Sequence, residues 1–554
     1  MFAKGISILA SSAVQPANIN LPHPNDLLAD QIKQAAQRAM LAELPRMSPS
    51  EIRQNPQRHA QLFKARREHL EALLWVEPTQ AVLEKIIDIV DVILAERVWI
   101  PGAADFGPGS GYGPFRPPIC IESTQTGVLL AWLVRKHGMA LRKADPMVNS
   151  YILHAVRQRL FTPVLAHDSY PFMNGECDPN ASIVCDLIFA CLMLEDSPSR
   201  RQPLLKKLLR CMDEVSIDAA RTNHDLEDRL MGACAVADLA RLIKRLTRGE
   251  MDLTRSVPNN DWLDSILIPW ISDQYFLGNS LTPGVSGADI FRLGYLTRDK
   301  NLCAIGAQLH RRHERPAASV TGRILSVEYA HALQEECAAP PMLRRAVSPD
   351  GCIMLSRAGG LFAGMCVNGL SNPGDITIFA DGTPVVVNLG GRPRCSDMPG
   401  AEYPHSFPVI NGVEHWDHFH EDLPGEYDFA DDRDLMSADL TGIFDPRTTC
   451  LSAYQRTLML DRDEGLIRLI EAFEFAQAPR EIEFRFVTAL RPLVLFGCVR
   501  LGPLTLTWDG EMRAAYEEID CDGPFAGKAY LLRIHLRETA TRMICGFRFE
   551  RNGS

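Results

Sequence analysis

The sequence predicts an α+β multidomain protein in which a long all-helical region runs into an all-β one. Two periodicities and the composition predict it. Apolar residues recur at helical spacing to about residue 320, with no strand–helix–strand alternation among them. From residue 352 onward the period drops to two, and polar turns separate short apolar runs. The chain has 554 residues, 46% hydrophobic and 23% charged, an ordinary globular composition with room for two or three domains and large cores.

The helical elements come first. Residues 25–97 place Leu62, Ala65, Arg66 and His69 on one face, and a long periodic run follows over 82–98. Pro101-Gly102 and then Gly107 to Pro114 are too rich in Gly and Pro to stay helical, so a long loop is expected there. No Lys-Ser/Thr follows its glycines, which argues against a phosphate loop. Helical pattern resumes over 123–136, 147–165, 182–195, 203–215, 226–246 and 262–275. Amphipathic helices in succession, some joined by short polar turns such as 195–200, build either a solenoid or a closed double ring. The absence of a fixed repeat disfavours the solenoid.

The strands follow, over 352–358, 361–367, 376–380, 384–389, 453–460, 466–475, 481–488, 504–508, 529–536 and 541–549. Asp381-Gly382 between two apolar runs is a hairpin signal, because both turn residues need positive φ. Residues 481–487 alternate as a half-buried antiparallel strand does. Many short strands without intervening helices predict a β-sandwich. The join falls within 320–350, giving a helical domain over 1–335 and a sandwich over 336–554.

Charge and cysteine usage narrow the function classes. The net charge of -11 argues against a dedicated nucleic-acid surface, which needs clustered Lys and Arg, but leaves an anionic substrate open through a locally basic cleft. The 15 cysteines are scattered without a Cys-x-x-Cys pair, and Cys185, Cys191 and Cys234 lie inside apolar helical runs. They read as small core residues in a reducing compartment, so a cytoplasmic location is expected. The single Lys and short apolar run of residues 1–14 leave a secretory leader as the alternative. No run reaches the roughly 18–20 apolar residues of a membrane helix, and no membrane partner is expected.

Candidate chemistry crowds both ends of the Asp381-Gly382 hairpin. Asn368, Asn372 and Asp375 lie before it; Asn388, Tyr403, His405, His415, His418 and His420 lie after it. Tyr403 and His405 are two residues apart, so on an extended segment their side chains point the same way and could act as acid and base. The alternative for His405 is a polar residue at a sandwich edge. His415, His418 and His420, beside Glu414 and Asp417, are either a solvated loop cluster or a metal site. Glu122 opens a helix, as a dipole partner or as a cleft-lining acid. Asn174 and Asp178 precede another helix as caps or substrate contacts. Arg292 is either a carboxylate binder or half of a structural ion pair.

The run from Cys366 to Gly390, CVNGLSNPGDITIFADGTPVVVNLG, resembles a segment of the heparinase II/III family of polysaccharide lyases. So do His405-Ser406-Phe407-Pro408-Val409-Ile410-Asn411-Gly412 and Tyr454-Gln455-Arg456-Thr457 with Glu471. Upstream, Trp99-Ile100-Pro101, Arg159-Leu160-Phe161-Thr162-Pro163, residues 182–195 and Phe291-Arg292-Leu293-Gly294 are similar too. The resemblance spans about residues 60–550 and implies an incomplete (α/α) toroid followed by an antiparallel β-sandwich. It also implies β-elimination on a uronate-containing glycan, an acidic oligosaccharide or polysaccharide.

Carried over residue by residue, the family pattern is altered here. Its catalytic histidine falls on Asn368, its first zinc histidine on Leu370 and its zinc aspartate on Asn388; its third zinc ligand is His405. One imidazole and one amide do not make a zinc site, so no cofactor is expected. The family's carboxylate-binding amide falls near Asp178, its catalytic tyrosine within 227–230, where there is none, and a His-Asn pair on Ala103-Ala104-Asp105. The expected catalytic set is His405, Tyr403 and Asn368, with Glu122, Asn174, Asp178, Arg292 and Asn372 binding substrate. The alternative is a catalytically silent homologue that binds glycan or a protein partner. Homo-oligomerisation is left open.

Overall fold

The computed structural model describes residues 26–104, 112–113, 115–173, 180–218, 226–254, 258–272, 275–277, 285–367, 373–389, 404–414, 423, 425–521 and 527–552. The chain divides into two units. The first comprises Met1–Ala219, Asp228–Asn259 and Ser286–Pro340; the second comprises Ala220–Glu227, Asn260–Val285 and Pro341–Ser554.

The first unit is helical, and polar side chains cap several of its helices. Ser48 and Glu51 form a capping box: the Glu51 N–H donates to Ser48 Oγ (3.3 Å) and the Ser48 N–H to Glu51 Oε2 (2.7 Å). Thr79 caps the helix Gln80–Ala95 through the Val82 N–H (3.4 Å). Two helices, Ile121–Ala144 and Asn180–Leu194, pack against each other as the centre of the unit. Residues 181–194 are buried without exception, which is why that stretch is apolar on every face rather than along one stripe. The helices Gly287–Thr297 and Lys300–Arg312 touch backbone to backbone at Gly287 and Gly306, where a Cβ on either would collide with the other helix.

Two expected helices are interrupted at prolines. The run 147–165 becomes Val148–Val156, a π-helical turn Arg157–Phe161 and Thr162–Ala166. Pro163 has no N–H to give the preceding turn, and the ladder widens there. The run 262–275 is helical only over Asn260–Leu267; Pro269 follows, and the chain turns into two short strands.

Those strands are β1 (Trp270–Ser272) and β2 (Tyr275–Phe276). They are followed by β3 (Arg345–Val347), β4 (Ile353–Ala358), β5 (Leu361–Cys366), β6 (Asp375–Ala380), β7 (Thr383–Val386), β8 (Pro408–Ile410), β9 (Gly425–Phe429) and β10 (Arg433–Asp439). Next come β11 (Leu451–Asp461), β12 (Leu466–Phe475), β13 (Ile482–Thr488), β14 (Leu493–Leu495), β15 (Cys498–Leu501) and β16 (Leu504–Trp508). The last are β17 (Met512–Asp520), β18 (Lys528–Leu536) and β19 (Arg542–Arg551). One eight-stranded sheet runs β14-β15-β16-β19-β12-β11-β10-β9. A nine-stranded sheet runs β17-β18-β13-β7-β6-β5-β4-β3, with β8 pairing β13. Every pairing is antiparallel.

The two sheets share one core. Leu458, Ile467, Leu469, Phe473 and Phe547 of the first meet Met365, Ile376, Ile378, Phe484 and Phe486 of the second. The far face of the nine-stranded sheet is also covered: Leu355, Phe362, Phe379 and Val487 pack with Ile268, Ile271, Tyr275 and Leu277. This double cover explains why β5 and β6 are buried at every position while β11 alternates. The Asp381-Gly382 turn joins β6 to β7 with φ of 49° and 77°, as the sequence predicts.

Candidate functional site

In the sandwich unit, β6 begins at Asp375, and His405 lies three residues before β8. The two segments are brought together so that His405 Nδ1 stands 3.6 Å from Asp375 Oδ2. His405 is 7% exposed and Asp375 2%. The other carboxylate oxygen, Oδ1, accepts the Ile376 N–H (2.9 Å).

What holds these two segments is an arginine from the other sheet. Arg456 of β11 reaches across the core, and its Nη1 donates to the carbonyls of Gly374 (2.7 Å) and Ser406 (2.8 Å). Those residues are the immediate neighbours of Asp375 and His405. Glu471, opposite Arg456 on β12, accepts from Nε (3.1 Å) and Nη2 (2.6 Å). Tyr454 OH donates to the second oxygen of Glu471 (2.9 Å). The guanidinium also lies over the Phe407 ring, 4.5 Å from its centroid. Ser406 Oγ takes the Val487 N–H (3.0 Å). Burial opposes the Arg456 charge, yet the Glu471 carboxylate beside it holds its proton above the usual arginine range. Burial pushes the Tyr454 phenol well up. Gly374 adopts φ of +82°, and a Cβ there would collide with Leu440, so only glycine fits where Arg456 takes its carbonyl.

Asn388, the residue standing at the family's zinc aspartate, is buried just beyond β7. Of the described residues at the family's zinc positions, His405 offers an imidazole and Asn388 an amide. Among the described residues no group of three or more His, Cys, Asp or Glu side chains could hold a metal. That donor set does not fit a four-ligand structural zinc. Glu414 pairs with Arg485 at the surface.

Several expected residues lie outside the described ones: Tyr403, Asn368, Asn372, Leu370, Asn174, Asp178, Asp417 and the histidines 415, 418 and 420. So does most of the Gly-rich loop, of which residues 112 and 113 are described.

In the helical unit, Glu122 sits in the first turn of Ile121–Ala144, half-buried, where its charge complements the helix dipole. The neighbouring Cys120 thiol is pushed up to about 12, by burial first and by Glu122 second. Arg292, expected to bind a substrate carboxylate, binds the chain's own. It is 1% exposed, 2.9 Å from Asp289 Oδ1 and 3.5 Å from Asp238 Oδ2. A Cβ at Gly322 would collide with Nη1, so the guanidinium is enclosed on that side too. Asp289 Oδ2 accepts the Ala318 N–H (2.7 Å). This is the ion-pair alternative of the sequence reading, since a guanidinium so enclosed has no face left for a ligand. Trp99, Tyr170 and Phe172 are likewise core residues; Tyr170 OH donates to the Pro117 carbonyl (2.9 Å).

Two acids were missed by the sequence reading. Asp186 is buried in the central helix Asn180–Leu194, 3.1 Å from Thr124 Oγ1, and burial pushes its carboxyl up to about 7 against the pull of Thr124 and Arg67. Burial pushes Asp238 up to about 6, against Arg292. The signal available was a single acid inside an otherwise apolar helix, IVCDLIF and CAVADLA.

The class that this architecture defines is that of the polysaccharide-lyase fold, a helical region followed by antiparallel sheets. No family model matches the sequence, and no curated protein matches it. Solved structures do. A chondroitin AC lyase from Streptomyces coelicolor matches with a TM-score of 0.53 at 12% identity, over 99% of this chain and 83% of that one. A Paenibacillus xanthan lyase matches with a TM-score of 0.56 at 10% identity, over 100% of this chain and 60% of that one. A heparinase III is less similar, at a TM-score of 0.39 and 11% identity. At these identities the likeness is one of fold, and at that level the expected relation to polysaccharide lyases holds.

Proposed function

We propose that the protein is a polysaccharide lyase acting by β-elimination on a uronate-containing oligosaccharide or polysaccharide, with a catalytic set rearranged around His405. The observation that carries this reading is the fold likeness, across almost the whole chain, to two solved polysaccharide lyases. In such an elimination a base takes the C5 proton. The electron pair left behind forms the C4=C5 bond as the C4–O4 bond breaks, and the departing O4 takes a proton; no water is consumed. Tyr403 and His405 divide those two proton transfers. Asp375, 3.6 Å from Nδ1, favours the tautomer that carries its hydrogen there and leaves Nε2 as the accepting nitrogen. Asn368 and Asn372 supply amide donors to the uronate carboxylate, neutralising charge as the enolate forms. Within the helical unit taken by itself, Glu122, Asn174 and Asp178 are the candidate sugar contacts. No metal takes part. The buried thiols of Cys185, Cys191 and Cys234 fit a reducing compartment, so a cytoplasmic location belongs to the same reading.

A second reading is a glycan-binding protein without catalysis. The near-complete burial of Asp375 and His405 favours it, because a base must reach its proton. One experiment separates the two. The protein is incubated with chondroitin, heparan sulfate, hyaluronan, xanthan and alginate oligosaccharides, and the ultraviolet absorbance of the unsaturated product is followed. A rise on any of them supports the lyase. Measurable binding with no rise on all five supports the second reading and sinks the first.

A further inference from the structure

Arginines drawn into a protein are normally paired, because burial penalises a charge that nothing offsets. In the helical unit Arg66 has Glu96, Arg157 has Glu195, Arg292 has Asp289 and Arg323 has Glu71. Arg67 has no such partner. It lies partly buried on the helix Pro56–Leu73, its guanidinium carbon 5.9 Å from the centroid of the Phe63 ring. Nη2 donates to Gln125 Oε1 (2.9 Å), a neutral amide 8% exposed. Nε is sealed from solvent and meets no acceptor. Nη1, also without an acceptor among the described residues, keeps contact with solvent.

Four ionisable groups stand around Arg67 without pairing it: Arg323, Glu71, Glu122 and Asp186. Glu71 is occupied, since Arg323 grips both its oxygens (Nε to Oε1 2.9 Å, Nη2 to Oε2 2.9 Å). Asp186 is hydrogen-bonded to Thr124 and keeps its proton up to about 7. Glu122 acts on Arg67 from beyond pairing distance. Burial first, and Arg323 second, hold the Arg67 guanidinium below the usual arginine range, so its charge is under-compensated. Thr124 and Gln125 are successive residues, so Asp186 and Arg67 dock on adjacent positions of one helix. One turn before Asp186, Ser182 is 1% exposed, and its hydroxyl has no partner among the described residues either.

We infer that Arg67 anchors an oxyanion subsite in the helical unit: Gln125 orients the guanidinium, and Nη1 takes a carboxylate or sulfate of an acidic glycan. The inference rests on the acidic-glycan reading above for the kind of molecule, and not on the elimination. A charge-assisted hydrogen bond from a guanidinium to an oxyanion is among the strong ones, and here the anion also supplies the countercharge that the fold withholds. Gln125 fits this role because an amide fixes the guanidinium without neutralising it. A glutamate at 125 would neutralise it from within the chain.

The test is isothermal titration calorimetry of the full chain at fixed ionic strength with glucuronate, glucose sulfate and glucose. At least one of the two acids is expected to bind, and glucose is not. Binding of glucuronate alone names a carboxylate as the group held, binding of glucose sulfate alone a sulfate, and binding of both the chemistry they share. Arg67→Met and Gln125→Glu are each expected to weaken that binding by about tenfold or more. Their effects on the fold differ: Gln125→Glu is expected to melt above the parent, because it gives Arg67 an internal partner, and the melting curve of Arg67→Met checks that it folds. A parent that binds neither acid, or binds glucose equally well, overturns the inference. So does either variant binding as tightly as the parent. Arg67-dependent binding with no rise in ultraviolet absorbance on any glycan keeps this subsite and sinks the lyase. A rise on a glycan, with neither acid bound, keeps the lyase and sinks the subsite.

Discussion

Arg456 and Glu471 face each other across β11 and β12 as a bidentate pair buried in the sandwich core. The pair does more than cancel its own charge, because Nη1 is left over to hold the two backbone segments that carry Asp375 and His405. A buried pair of this kind is unforgiving when half of it is removed. Arg456→Met strands the Glu471 carboxylate and is expected to cost about 3–5 kcal/mol in urea unfolding. R456M/E471M removes both charges and is expected to recover part of that loss. The carbonyls of Gly374 and Ser406 stay orphaned in the double variant, at about 1–3 kcal/mol each. A double variant no more stable than the single one would mean that those carbonyls, not the stranded carboxylate, dominate.

Asp186 gives the helical unit a pH dependence whose sign is fixed. A free aspartate titrates near about 3.9, and burial lifts Asp186 to about 7. Between those values the folded chain holds a proton that the unfolded chain has released. The stability contributed by this group is complete below about pH 4 and lost as the pH rises through about 7. Asp238, at about 6, acts in the same direction over a narrower window. The melting midpoint is expected to fall between pH 5 and pH 8. Asp186→Asn imitates the protonated side chain and keeps a partner for Thr124. It is expected to raise the midpoint at pH 8, leave pH 5 nearly unchanged and flatten the slope between them. An unaltered slope would place its source elsewhere.

The sandwich is expected to hold its shape without zinc. At the family's zinc positions among the described residues stand one imidazole, His405, and one amide, Asn388, whereas structural zinc takes four strong donors. Protein purified without added metal is expected to contain zinc well below one equivalent, and its melting midpoint is expected not to move on dialysis against a chelator. Stoichiometric zinc would mean that the donors come from beyond the described residues, and would overturn the equation of Leu370 and Asn388 with lost ligands.

The parts of the fold that the sequence announced are those where burial differs between two faces. β12 and β13 stand within a residue of their expected limits because alternation marks the strand directly. The Asp381-Gly382 hairpin was legible because positive φ at two successive positions leaves few residue choices. β9 and β14 were not legible, being exposed along much of their length, and β17 alternates only between half-buried and exposed positions. The helix expected over 262–275 was misread because Ile-Leu-Ile-Pro-Trp-Ile is apolar under either period, and the proline was underweighted. The site was legible in part. His405 was marked by sequence, but Asp375 gained meaning only when the fold set it 3.6 Å away. Arg456 and Glu471 stand out in the sequence only through the family resemblance. That they reach through the core to two backbone carbonyls is a property of sheet packing, which no local pattern encodes. Arg292 had two readings of equal standing, and only its enclosure by Asp289, Asp238 and Gly322 decided between them.

The proposed chemistry stands or falls on His405. If it exchanges a proton with substrate, His405→Ala is expected to lower the elimination rate by about 10²–10⁴, with little change in KM. Asp375→Asn keeps the shape but can offer its amide N–H to Nδ1, which favours the other tautomer and puts the proton on Nε2. It is expected to lower kcat nearly as far and to change the pH–rate profile, which loss of packing alone does not do. Gly374→Ala adds a third, independent handle. It disturbs the segment that Arg456 holds without touching an ionisable group, and is expected to reduce kcat by displacing Asp375 from His405. If His405→Ala eliminates as fast as the parent while Gly374→Ala merely melts earlier, the Asp375–His405 pair is scaffold. The base must then be sought among the other candidates, Tyr403 first.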